Sequence, residues 1–230
     1  MRPHRTLISV LAMAAVLLAA ASPARAVTLD KSFGAQPFLD TSLGGTTVAA
    51  RPELAGLVLE DSVQGFSFNG VFGTVQNRVV RETVSGTLDF YWRIEVDAAS
   101  QGSIEAFRLG NFGYGAITDA DWRIDGLGGA SPFVGRVFNP ASHPEGAINF
   151  LFTDGTVNPD ESSRFFFLHT DATAYAKTAQ YDLLCAPSGC ISGLDATFAP
   201  TVAVPEPQTY ALMLAGLALM AWTLRRRPPR

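Results

Sequence analysis

Residues 27–200 predict an all-β domain, an antiparallel β-sandwich that can take a jelly-roll form, on three observations. Between positions 87 and 97, Leu88, Phe90, Trp92, Ile94 and Val96 alternate with Asp89, Tyr91, Arg93, Glu95 and Asp97. Period two over that length is the pattern of a strand with one buried and one wet face. Lysine occurs only as Lys31 and Lys177, while glycine and aromatic residues are plentiful, a balance that suits strands and turns better than helices. Finally, no long amphipathic helix pattern lies between Val27 and Val204.

The elements follow in order. Residues 73–84 are rich in β-branched side chains and run through Ser85-Gly86 into the 87–97 strand, which predicts a long hairpin. Residues 103–109 and, more weakly, 120–124 read as the next strands, before the glycine-rich turn at 125–132. A loop through Asn139-Pro140 and Ser142-His143-Pro144-Glu145 leads to a second alternation at Ile148, Phe150 and Phe152, closed by the turn sequence 153–156. The continuous apolar run 164–170 suits a central strand buried on both faces, and 194–198 reads as the last strand. Residues 41–50 form a small-residue segment without a clear period.

Residues 27–204 carry ten Lys and Arg against twenty Asp and Glu, a net charge of −10 that the basic termini dilute to −4 over all 230 residues. So acidic a domain is a poor nucleic-acid binder. Its two cysteines, Cys185 and Cys190, flank Ala-Pro-Ser-Gly and predict a local disulfide that pins a turn in an oxidising compartment.

Catalysis has little to draw on. The domain holds only His143, in a Ser-His-Pro-Glu turn, and His169, at the end of the aromatic strand, where satisfaction by a neighbouring carboxylate is the expected role. Gly65-Phe66-Ser67-Phe68-Asn69 stops one residue short of a nucleophile elbow, and a secreted hydrolase is the remote alternative. Asp119, Asp121, Asp125, Asp154, Asp160 and Glu161 could offer oxygens to calcium, but they lack EF-hand spacing and suit the turns of an acidic domain. Neither a metal site nor a cofactor is assigned. Tyr91 on the wet face, with Tyr114 and Trp122 near loops, are the candidates for stacking on sugar rings, so a carbohydrate-binding module or adhesin is the leading alternative function.

The two ends carry the strongest signals. Arg2 and Arg5 precede an apolar stretch from Leu7 to Ala21, and Ala24 and Ala26 form a small-x-small site. This predicts a secretory signal peptide over 1–26, cut by signal peptidase before Val27. At the other end, within 201–230, Val204-Pro205-Glu206-Pro207 precedes an apolar segment over 209–224, followed by Arg225, Arg226 and Arg227 in the basic tail 225–230. The prolines hold the chain extended around Glu206 and bar a helix there. Fifteen or so helical residues span about 24 Å against a hydrocarbon core of about 30 Å, so this transmembrane helix is a marginal anchor held by cytoplasmic arginines.

This tail resembles the PEP-CTERM sorting signal. The resemblance implies that an exosortase, a membrane-embedded enzyme with a catalytic cysteine, cuts at or near Pro205-Glu206-Pro207 and discards the helix. It further implies transient residence in the inner membrane of a Gram-negative bacterium, then delivery to the cell surface or to an extracellular matrix of exopolysaccharide. The expected role is that of an exported structural or interaction protein of the envelope or biofilm, not an enzyme.

Overall fold

The computed structural model describes residues 27–201 except 114, 153, 154 and 188, together with Met213, Leu217 and Met220 in the tail. Eleven strands are described: β1 (Phe38–Ser42), β2 (Gly56–Phe68), β3 (Val71–Glu82), β4 (Leu88–Val96), β5 (Ser103–Gly110), β6 (Ile117–Trp122), β7 (Val134–Phe138), β8 (Ile148–Leu151), β9 (Phe166–Thr170), β10 (Ala174–Ala186) and β11 (Asp195–Thr201). They form two antiparallel sheets. One has the order β1-β7-β8-β5-β10-β11 and the other β2-β3-β4-β9-β6.

The inner faces of the sheets share one core. Leu88, Phe90, Trp92, Ile94 and Val96 are all buried, as the alternation predicts. Across the layers, the Trp92 ring lies 5.4 Å from Phe107 on β5 and 6.2 Å from Phe150 on β8. Trp92 also solves its polar problem inside the core. Its indole Nε1 donates to Thr197 Oγ1 at 2.9 Å, and that hydroxyl donates to Asn77 Oδ1 at 2.8 Å. The relay ties β4, β11 and β3 together without leaving a buried donor unpaired.

The expected hairpin is present as β3–β4, with Arg81 opposite Leu88 at its closed end. The aromatic run supplies β9, seated between β4 and β6 with Phe166, Phe167 and Leu168 all buried. Cys185 and Cys190 form a disulfide at the end of β10, where the Cys185 N–H donates to the Cys190 carbonyl at 2.8 Å. The last strand begins at Asp195 rather than Leu194, which is exposed.

One expectation fails. Tyr91 was expected on a wet face with Asp89 and Arg93, yet Tyr91 is 3% exposed and Asp89 has no exposed surface. The chain between β1 and β2 crosses the outside of the second sheet and makes a 3-10 turn at Pro52–Leu54. Leu54 and Val48 from this segment enclose Tyr91 together with Val80, Phe165 and Phe167. Only the far end of β4 keeps the expected wet face, where Glu95 is exposed.

Candidate functional site

The covered outer face of the second sheet is also where ionisable groups converge. Period two places Asp89 and Tyr91 of β4, Phe167 and His169 of β9, and Asp119 and Asp121 of β6 on this side. Register then aligns them, because Asp89 pairs with His169 and His169 with Asp119 across three adjacent strands. Glu82, at the end of β3, completes the group.

His169 Nδ1 lies 2.6 Å from Asp89 Oδ1 and 3.1 Å from Glu82 Oε1. The other oxygen of Glu82 accepts a short hydrogen bond from Ser85 Oγ. Arg51 arrives from the covering segment. Its guanidinium grips Asp119 with two nitrogens, at 3.1 and 3.3 Å, and meets Glu53 through Nε at 2.7 Å, while lying 5.8 Å from the Phe167 ring centre. Burial pulls the His169 pKa down, but the hydrogen bond and charge of Asp89, aided by Asp119 and Glu82, outweigh it and leave the pKa above its usual value. Burial raises the Asp89 pKa, and the His169 interaction only partly offsets that. Glu82, Asp89 and His169 each offer a ligand atom within 4.8 Å of the others, so these three side chains could hold a metal ion.

The acidic residues singled out for calcium do not converge. Asp119 is occupied by Arg51, Asp125 by Arg123 and the Val48 N–H, and Glu161 by Asn158. Asp121 accepts the N–H groups of Gly45 and Trp122 at 2.7 and 2.9 Å. Asp154 lies outside the described residues. The expectation that a carboxylate satisfies His169 holds, but the partners are Asp89 on the neighbouring β4 and Glu82 at the end of β3, one strand further on, rather than the adjacent Asp171. Their positions in the chain give no hint of this, and only the strand register reveals it. His143 sits apart in an exposed turn, its Nδ1 3.1 Å from Ser142 Oγ.

Of the sugar-stacking candidates, Tyr91 is buried and Tyr114 lies outside the described residues. Trp122 lines a cleft of about 650 Å³ with Ser131, Phe133, Asn158, Asp160, Glu161 and Ser162. Its indole nitrogen is buried without a hydrogen-bond partner, and the Arg164 guanidinium lies 5.5 Å from its ring centre.

At the termini, Ala24 and Ala26 lie outside the described residues, whereas Val27 forms an antiparallel bridge with Ala120 of β6. Val204, Pro205, Glu206, Pro207, Arg225, Arg226 and Arg227 also lie outside them. Met213, Leu217 and Met220, within the expected helix, are helical and exposed. Among the described residues no helix is long and apolar enough to cross a membrane.

Residues 203–227 match the family model of the PEP-CTERM protein-sorting motif, a stretch that includes both Pro205-Glu206-Pro207 and Arg225–Arg227. No curated protein and no solved structure matches the chain.

Proposed function

We propose that this chain is an exported protein of the cell envelope or extracellular matrix, processed at its tail by an exosortase and acting through binding rather than catalysis. The match of residues 203–227 to the PEP-CTERM sorting motif carries the reading. The fold supports it. β11 ends at Thr201, so the motif begins two positions beyond a strand that pairs only with β10 at the edge of its sheet. In the chain the motif thus follows the last described strand, where a processing enzyme could cut without removing any strand. At the other end, the expected signal peptidase bond directly precedes Val27, the residue bridged to β6. The disulfide suits an oxidising destination.

The jelly-roll form of the sandwich belongs to the same proposal. Its support is that the chain changes sheet repeatedly, from β1 to β2, β4 to β5, β5 to β6, β6 to β7, β8 to β9 and β9 to β10. A non-catalytic role is supported by the two histidines, one held by Asp89 in a half-closed acidic cluster and the other in an exposed turn.

Tail processing is tested by mass spectrometry of protein released from, or displayed on, cells with an active exosortase. The expected spectrum contains peptides of the domain and none from residues 211–230. Intact chains ending at Arg230 would overturn the proposal.

A second reading, carbohydrate binding, is favoured by the Trp122 cleft, which combines an indole with carboxylate, amide and hydroxyl groups. Such a mixture suits a sugar, whose ring faces stack and whose hydroxyls seek hydrogen bonds. Exopolysaccharide would be its partner. A glycan array decides it: binding that Trp122→Ala abolishes supports the module, and an unbound array leaves the structural role as the reading.

A further inference from the structure

We propose that Glu82, Asp89 and His169 form a binding site for one divalent transition-metal ion, with Zn²⁺ the ion their donor atoms suit best. The proposal starts from hydrogen counting. An imidazole nitrogen carries at most one hydrogen, and His169 Nδ1 lies 2.6 Å from Asp89 Oδ1, so a single hydrogen fills that contact. Glu82 Oε1 lies 3.1 Å from the same nitrogen, yet it is buried and has no hydrogen-bond partner. A hydrogen on Nδ1 can serve only one of the two carboxylate oxygens that face it, which leaves Glu82 Oε1 without one. With the imidazole hydrogen on Nε2, Nδ1 and the two carboxylate oxygens are all free to ligate a cation between them.

Charge gives the second argument. Glu82 and Asp89 are both buried carboxylates, and a protonated His169 neutralises only one of them. The Arg51 guanidinium on this face is already shared, since it is paired with both Glu53 and Asp119. A buried carboxylate without a compensating charge is strongly unfavourable. A divalent ion removes that deficit while His169 stays neutral, the form in which imidazole ligates.

The donor set selects the ion. One imidazole nitrogen with two carboxylate oxygens and no thiolate suits zinc and its neighbours rather than calcium or magnesium, which prefer all-oxygen shells. Ligands at about 2.0–2.2 Å from a tetrahedral zinc stand about 3.3–3.6 Å apart. The two separations from Nδ1, 2.6 and 3.1 Å, widen by no more than about 1 Å to reach that spacing, and the two carboxylate ligand atoms lie within 4.8 Å of each other. The site is held on rigid elements. Asp89 and His169 are cross-strand partners in β4 and β9, and Ser85 fixes the second oxygen of Glu82. With its side chain 17% exposed, His169 is the route from solvent, and water can fill the fourth position. The ion would clamp β3, β4 and β9 together.

The test uses the full chain without a polyhistidine tag, stripped with chelator and titrated with Zn²⁺ at pH 7.5. One Zn²⁺ per chain is expected, with a raised melting temperature. Glu82→Gln and His169→Gln should each weaken binding at least tenfold, whereas His143→Gln should leave it unchanged. Stoichiometric binding that survives Glu82→Gln, or none by the wild type, overturns the site. Where the variants fail to fold, Co²⁺ in the wild-type protein decides: visible bands of a four-coordinate nitrogen–oxygen shell support the proposal, and their absence refutes it.

Discussion

Asp121 has no exposed surface, and only one of its carboxylate oxygens is hydrogen-bonded. Burial pushes its pKa up from 3.8 to about 6, against the pull of the Gly45 and Trp122 N–H groups. The folded protein therefore holds this proton more tightly than the unfolded chain. The resulting stability is fully present below 3.8 and is lost as pH rises through about 6. The shift corresponds to at most about 3 kcal/mol. His169, also raised, contributes in the same direction at higher pH: its share is present below 6.5 and disappears as pH climbs past its folded value. Asp121→Asn keeps the acceptor for both N–H groups and removes the titration. Denaturant melts at pH 4, 6 and 8 should show the variant gaining on the wild type as pH rises, with the gap opening between 4 and 8. Gly45 is part of the same construction. Its φ of +77° and the Trp122 ring, 2.5 Å from where a Cβ would stand, leave glycine as the residue that fits.

The covering segment between β1 and β2 decides how β4 behaves as an element. Because Leu54 and Val48 close over Tyr91, both faces of this strand are buried at its centre. Tyr91→Ala should then cost about 3–5 kcal/mol, as much as Trp92→Ala. Equal losses in denaturant melts verify the cover, and a near-neutral Tyr91→Ala excludes it. By contrast, the Cys185–Cys190 bond closes so short a loop that replacing both by serine should cost about 2 kcal/mol or less and leave the fold intact, which a thermal melt will show. How far the elements were legible follows the same physics. Strands with a strong local pattern can be read directly, β4 and β8 from alternation, β3 from its β-branched residues and β9 from its continuous apolar run. β2 could not, since it is an edge strand with much of its length exposed and a register shift between Val58 and Glu60 that breaks the period. β10 hides its buried Ala179, Tyr181, Leu183 and Cys185 behind a bulge after Ala176. The burial of Tyr91 and the meeting of Glu82, Asp89 and His169 depend on chain segments far apart in sequence, which no local pattern records.

For the molecule as a whole, the domain and the sorting tail should be separable at the end of β11. The pairing of β11 with β10 runs from Asp195 opposite Tyr181 to Thr201 opposite Ala174, so the strand ladder is complete before residue 203, where the sorting motif begins. Cutting in the motif should therefore release a domain that keeps its two sheets and its core. A chain stopped after Thr201 is expected to melt at the same temperature as the longer protein. Stopping before Asp195 is a different matter. It strips β10 of one of its two pairing partners, removes buried Ala199, and takes Thr197 away from both Trp92 Nε1 and Asn77. Leaving that indole N–H buried and unpaired adds about 1–3 kcal/mol to the lost packing, against a domain stability of about 5–15 kcal/mol. Circular dichroism melts of the two truncations should show one unchanged transition and one lost or strongly lowered. If stopping after Thr201 destabilised the domain as much as removing β11, the tail would be part of the fold, and its removal by an exosortase could not yield a stable product.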